Sequence, residues 1–302
     1  MKFAHIADTH IRNLKYHAEY RTIFNKIYEA LKAERVDYII HCGDICHTKT
    51  QISPEFVQMC SDFFKNLANI APTYIILGNH DGNLRNPNRQ DSLSPIVNAL
   101  EHPNLHLLKN SGEVHLDDNF ALNVLSVFDP DNWIDPTNKD KTNIALYHGS
   151  ISGCLTDSDW VMDVGENEID IFNKFDYAML GDIHKSNQIL DLKGHYRYAG
   201  STVQQNFGET LDKGFLLWYI QDKENFKVKH VPIANPKPFI SVTLTEKGKI
   251  PNTVLPEGAR VRLIVENSLS VMALKKAVDV AKKQFKPESI SIINKATFTN
   301  NV

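Results

Sequence analysis

Five short apolar runs in the first two-thirds of the chain each end on side chains that bind metals or move protons. Residues 3–7 lead into Asp8 and His10, and residues 38–42 into Gly43, Asp44 and His47. Residues 74–77 lead into Gly78, Asn79, His80 and Asp81. Residues 144–147 lead into His148 and Gly149, and residues 177–180 into Gly181, Asp182 and His184. Each run reads as a buried strand, and open α/β sheets build their sites in loops at strand ends. One such end would be an ordinary solvated loop. Five that all deliver carboxylate, amide or imidazole groups form a metal site.

These donors, free of thiolate, suit Mn2+, Fe2+ or Zn2+, with Mg2+ as a harder alternative. Ligands drawn from five loops point to a binuclear centre with the ions about 3.5–4 Å apart, as in phosphatases and nucleases. Asp44, set between the other ligand loops, can offer one oxygen to each ion. Such a pair acidifies a water, orients a phosphate and neutralises the charge that develops on its oxygens. The leaving alkoxide still needs a proton, and His80 is the candidate general acid. His47 is a candidate phosphate contact or a support for the ligands.

The elements that must position these groups follow from periodicity. Residues 17–34 carry Tyr20, Ile23, Phe24, Ile27, Tyr28 and Leu31 at three- and four-residue spacing, which predicts an amphipathic helix. Residues 54–69 predict another, with Ser53 as cap and Pro54 at its first position. A shorter helix runs from about 94 to 100. Strands alternating with helices give a layered α/β fold with parallel crossovers. Short strands at 105–108, 113–116, 120–126 and 144–147 then predict a second sheet. Loop 128–143 carries Trp133, expected to be exposed, and loop 150–170 is long and acidic. Strand-like runs return at 196–198, 214–220 and 226–233. Three prolines between 232 and 238 mark a linker. The predicted domains are 1–233 and 234–302, the second a small α+β unit with strands at 239–244, 260–266 and 289–293 and a helix at about 270–285.

Composition places the chain among soluble globular proteins: 302 residues, 42% hydrophobic and 23% charged. No run approaches the ~18 apolar residues of a membrane span, and the N-terminus has no signal-peptide core. A cytoplasmic, non-secreted protein of a bacterial or phage-infected cell is expected. Cys42, Cys46, Cys60 and Cys154 fit no zinc or redox spacing and read as buried thiols. From Lys223 onward 14 lysines and arginines stand against six acidic residues, a balance of +8 that leaves −11 for residues 1–222 out of the net −3. An acidic body suits a cation site, and a basic C-terminal part suits a polyanion.

In order and approximate spacing, Asp8-x-His10, Gly43-Asp44-x-x-His47, Gly78-Asn79-His80-Asp81, His148 and Gly181-x-x-His184 resemble the calcineurin-like metallophosphoesterases. The Asp44-x-x-His47 form, and the stretch from Tyr198 through 205–209 to Lys213-Gly-Phe215, resemble the SbcD-type DNA repair nucleases, counterparts of the eukaryotic meiotic-recombination nuclease. The resemblance covers residues 1–233. It implies two facing sheets flanked by helices, a DNA-capping C-terminal domain, two Mn2+ ions, and exo- and endonuclease action on DNA. It also implies a homodimer and an SMC-like ATPase partner of the SbcC type, gripped by a helical segment that in this family lies beyond position 302. Asp8, His10, Asp44 and His184 would hold one metal; Asp44, Asn79, His148 and Asp182 the other. His80 and His47 would act on the phosphate. The family has a histidine where this chain has Asp182, a harder anionic donor.

The same ligands serve other phosphoesterases. Protein phosphatases are disfavoured because the second motif lacks their Asp-Arg-Gly extension. Small-molecule and cyclic-nucleotide phosphodiesterases remain the alternative, with a DNA-binding scaffold carrying a decayed site a distant third. Arg85 and Arg89 are candidate phosphate contacts, and Tyr196, Arg197 and Tyr198 a candidate stacking stripe.

Overall fold

The computed structural model describes residues 1–86 and 88–296. They fall into two compact units, the first made of Met1–Val203 with Asp212–Ala234, the second of Gln204–Leu211 with the chain from Asn235 onward. The first opens with alternating strands and helices: β1 (Lys2–Ile6), α1 (His17–Glu34), β2 (Tyr38–Cys42), α2 (Pro54–Ile70), β3 (Thr73–Ile76), α3 (Ser94–Leu100) and β4 (Leu105–Leu108). A run of strands follows: β5 (Gly112–His115), β6 (Phe120–Leu125), β7 (Thr142–His148), β8 (Tyr177–Gly181), β9 (Gln188–Ile189), β10 (Tyr196–Tyr198), β11 (Gly214–Ile220) and β12 (Phe226–Pro232).

Two six-stranded sheets result, in the orders β12-β11-β1-β2-β3-β4 and β5-β6-β7-β8-β10-β9. In the first, β1 to β4 are parallel and β11 returns antiparallel beside β1. In the second, β6, β7, β8 and β10 are parallel. Alternation along each strand builds three apolar layers. Phe3, Ile40, Ile76, Leu216 and Trp218 meet Leu122, Ile144, Leu146 and Met179 in one cluster between the sheets. The intervening Ala4, Ile39, Ile75 and Leu217 pack instead with Phe24, Ile27, Phe63 and Phe64 of α1 and α2. On the far side of the second sheet, Ala145, Tyr147, Ala178 and Leu180 pack with Phe172 and Ile151. Each fully buried apolar side chain contributes roughly 1.5–3 kcal/mol, so both faces of each sheet are held and the strand ends between them are fixed.

α2 starts as its sequence predicts: Ser53 Oγ accepts the Phe56 N–H at 3.1 Å, with Pro54 in the first turn. Trp133 departs from expectation. It is partly buried, its indole N–H donating to Ser126 O at 2.9 Å and its ring set edge-on against Tyr147. Trp160, in the following acidic loop, is the exposed tryptophan.

The second unit holds β13 (Phe239–Thr243), β14 (Arg260–Val265), α4 (Val271–Phe285) and β15 (Ser289–Asn294), the strands forming one parallel sheet. Ala277, Ala281 and Phe285 of α4 pack against Val242, Val261 and Leu263. Residues 204–211 join this unit through Gln204, whose side-chain amide both donates to Phe239 O and accepts Phe239 N–H at 2.9 Å. Arg262 lies 4.0 Å over the Phe207 ring. No helix of the described residues is long and apolar enough to cross a membrane.

Candidate metal centre

The loops leaving β1, β2, β3, β7 and β8 converge, and their backbones are bent to make them do so. Asp8, His10, Asp44 and Asp182 all have positive φ, at 51°, 47°, 57° and 96°. Such conformations cost a non-glycine residue about 1–3 kcal/mol each and persist only where surroundings enforce them. Here hydrogen bonds enforce them. Asp8 N–H donates to Gly43 O at 3.0 Å and His10 N–H to Asp44 O at 2.9 Å. Asp182 N–H donates to both Asp8 carboxylate oxygens. Asp81, fully buried, accepts the N–H groups of Asp44 and Cys46 at 2.8 Å and of Gly78 at 2.9 Å. Glycine is required at 78 because a Cβ there would collide with the Asp44 carboxylate and lie 2.7 Å from the His148 ring. At Gly181 a Cβ would strike Cys42 O and approach His148 Nδ1 to 2.9 Å.

Three overlapping sets of donors lie within 4.8 Å of one another: Asp8, His10 and His184; His10, Asp44 and His80; Asp8, Asp44 and His148. His10 Nε2 stands 3.0 Å from His184 Nε2 and 3.5 Å from Asp44 Oδ2. His148 Nε2 stands 3.4 Å from Asp44 Oδ1 and 3.8 Å from Asp182 Oδ1. The His148 ring is aimed by its other nitrogen, since Nδ1–H donates to Cys42 O at 2.7 Å. His148 Nε2 and Asn79 Oδ1 are buried without a hydrogen-bond partner. Buried polar atoms are nearly always paired, and the His148 imidazole, grouped with the Asp8 and Asp44 carboxylates, fits a divalent cation.

Charge in the cluster has the same sense. Burial pushes the Asp8 carboxyl up to about 7, against the pull of His148 and His184. Burial opposes charge on Asp44 and His148 too, but each outweighs it for the other: the Asp44 carboxyl is held well below the usual range and the His148 imidazole well above it. A proton balances that buried pair, and a cation would balance it equally well.

The sequence pattern of the calcineurin-like phosphoesterase family matches residues 1–196, the stretch that supplies all of these donors. The chain belongs to this family. It is 35% identical, over an alignment of 312 positions that covers 98% of this chain, to the uncharacterized protein R555 of Acanthamoeba polyphaga mimivirus, and spans 23% of that protein. It is 26% identical to protein 244L of Invertebrate iridescent virus 6, which carries a phosphoesterase name, over 63% of this chain and 66% of that one. The chain therefore spans less than two-thirds of both curated relatives. Among solved structures it resembles GAP50, the anchor in the inner membrane complex of Plasmodium, with a TM-score of 0.50 and 15% identity over 77% of this chain and 84% of that one. That last likeness is one of fold.

In this member of the family His80 sits at the rim of the cluster, partly exposed. Its backbone N–H donates to Asp44 Oδ1 and its Nδ1–H to His47 O, both at 2.8 Å, which leaves Nε2 free of the loop. Its ring is edge-on to His10 at 4.9 Å. His47 Nε2 accepts from Arg12 Nη1 at 2.9 Å. Burial, reinforced by the Arg12 charge, lowers His47 to about 4 and keeps it neutral near pH 7. Asn79 stands on the His80 loop, its backbone carbonyl accepting Lys49 Nζ at 2.8 Å.

The residues predicted to touch DNA are placed differently from one another. Arg85 and Arg89 are exposed on the loop after His80, and Arg89 lines a small cleft with Lys49 and Asn83 beside Asp81. Arg197 is half-buried, donating through Nε to Gly194 O and through Nη1 to Asn187 Oδ1. The stripe expected at 196–198 does not form a stacking face. β10 lies beside β8, where Tyr198 is fully buried with its hydroxyl donating to Gly149 O, and the Tyr196 hydroxyl donates to Phe172 O. Asp81, in the third motif but given no role from sequence, ties the loops after β2 and β3 together.

Proposed function

We propose that this phosphoesterase is a metal-dependent DNA nuclease, cleaving phosphodiester bonds as an exo- and endonuclease with Mn2+ as its working ion. The observation that carries the proposal is the convergence of Asp8 and Asp44 with His10, His80, His148 and His184 at five strand ends. Asp8, His10, Asp44 and His184 would hold one ion, and Asp44, Asn79, His148 and Asp182 the second. A divalent pair held there supplies Lewis-acid polarisation of the phosphate and the acidity that makes water a nucleophile.

The chain's own groups do the rest. Asp81 and the Cys42 carbonyl fix the Asp44 loop and the His148 ring before substrate arrives. His80, pinned through Nδ1 by His47 O, presents Nε2 to protonate the leaving oxygen. Neutral His47, with Arg12 against its Nε2, lies beside it to contact the phosphate. DNA as substrate rests on the likeness of residues 198–215 to the repair nucleases and on the basic balance from Lys223 onward. The same likeness extends the proposal to a homodimer working with an SMC-like ATPase in the cytoplasm.

The test is hydrolysis of a linear end-labelled duplex and of bis-p-nitrophenyl phosphate, each with Mn2+, by wild type and His80→Ala. Mn2+-dependent DNA degradation that falls roughly 10²–10⁴-fold in His80→Ala, with Mn2+ uptake unchanged, is expected. Turnover of the small ester with DNA left intact would move the protein to the small-molecule phosphodiesterases.

A further inference from the structure

Lys213 lies outside every motif that names a ligand, yet it is buried. Its side chain is 2% exposed and ion-paired with Asp157, itself 7% exposed, in the acidic loop between β7 and β8. A lysine is rarely buried without a specific partner. Here Nζ has a second one: it donates to the backbone carbonyl of His184 at 2.7 Å.

The segment it grips carries two candidate ligands and is strained. Asp182 and Asn187 both have positive φ, at 96° and 52°. The loop is fastened at several points along its length: Asp182 N–H to the Asp8 carboxylate, His184 O to Ser201 N–H at 3.2 Å, and Ser186 Oγ to Asp212 O at 3.0 Å. Lys213 adds a charge-assisted bond at the ligand residue itself. Its backbone carbonyl meanwhile accepts the Ile233 N–H at 2.7 Å, so the lysine's own position is fixed by the residue that follows β12.

We propose that Lys213 is a positioning residue for the metal centre: its ammonium, held by Asp157, clamps the His184 carbonyl so that the imidazole meets His10. The inference rests on the metal-centre reading above and adds that this ammonium, together with the Ser201 N–H, sets His184 from behind. Asp157 serves to keep that ammonium charged and in place.

Mn2+ uptake by metal-free protein, followed through the loss of the free-ion signal in electron paramagnetic resonance, tests it beside thermal unfolding in chelator. Lys213→Met should lower the affinity for at least one ion by about tenfold or more, the loss usual when a group supporting a ligand is removed. Asp157→Asn, which breaks the ion pair but leaves the ammonium against His184 O, should lose less than Lys213→Met, though it too unfolds at lower temperature. Should loss of the ammonium beside Asp157 prevent folding in Lys213→Met, the double variant Lys213→Met/Asp157→Asn removes both charges of the pair, and must lose the ion as well. Lys213 variants that bind Mn2+ as wild type does would overturn the inference. So would Asp157→Asn losing as much affinity as Lys213→Met, which would make the pair a matter of general stability. Wild type that takes up no Mn2+ would instead overturn the metal-centre reading, and this inference with it.

Discussion

Asp81 decides the shape of the centre without facing an ion. It accepts four backbone N–H groups from the loops after β2 and β3, and Asp44 is one of the donors. Burial, and then the nearby Asp44 charge, push its carboxyl up to about 7, opposed by those backbone bonds. Asp81→Ala would take the carboxylate acceptor from four backbone donors, at roughly 1–3 kcal/mol for each one left unpaired. A large fall in unfolding free energy in denaturant, together with weakened Mn2+ binding, is the expected result; near wild-type stability would show that the loops hold themselves. Gly78→Ala should be as damaging for a steric reason, because its methyl collides with Asp44 and His148. These two changes separate the support of the centre from His80, whose loss should lower turnover alone.

At the scale of elements, the parts set by local rules were legible. The helix predicted at 17–34 is α1, because six apolar residues at helical spacing need one face buried, and α2 begins at its capping serine. The five site-bearing strands could be read because each is a β-branched or apolar run cut short before a polar group. What local rules do not reach was missed. β9 is two residues long. Residues 204–211 belong to the second unit through contacts of Gln204 with Phe239 and of Phe207 with Phe239 and Arg262, which no periodicity signals. Tyr196 and Tyr198 looked like a binding stripe because sequence does not say that β10 adds beside β8. Nothing in the sequence marked Lys213 as buried, because its partner Asp157 lies 56 residues upstream. The inter-sheet layer makes an element-scale prediction: Leu146→Ala in β7, fully buried there, should cost about 2–5 kcal/mol in denaturant unfolding. A smaller loss would mean that the sheets close over the gap.

For the whole molecule, charge and pH give two further expectations. His5 is fully buried in β1, its Nε2–H donating to Leu180 O at 3.0 Å and its Nδ1 accepting from the Trp218 indole. Burial lowers it from 6.5 to about 3, only partly offset by the Leu180 bond. A base with a depressed folded pKa lends stability that is present above 6.5 and lost as pH falls from there toward 3. Wild type should therefore lose stability relative to His5→Gln by up to about 1.4 kcal/mol per pH unit in that window, read from denaturant midpoints at pH 7 and pH 5. Parallel curves for the two proteins would show that His5 is charged in the fold. If DNA is the substrate, activity on it should also fall steeply as salt rises, since phosphate contacts release counterions. Activity on DNA that ignores salt would count against the arginine contacts at 85 and 89.

The central claim is that two ions share Asp44, and anomalous diffraction from Mn2+-soaked crystals of wild type and Asp44→Asn tests it most directly. Two ions about 3.5–4 Å apart among Asp8, His10, Asn79, His148, Asp182 and His184, with at least one missing in Asp44→Asn, are expected. No ion in the wild-type cluster, or both retained without the Asp44 carboxylate, would contradict it.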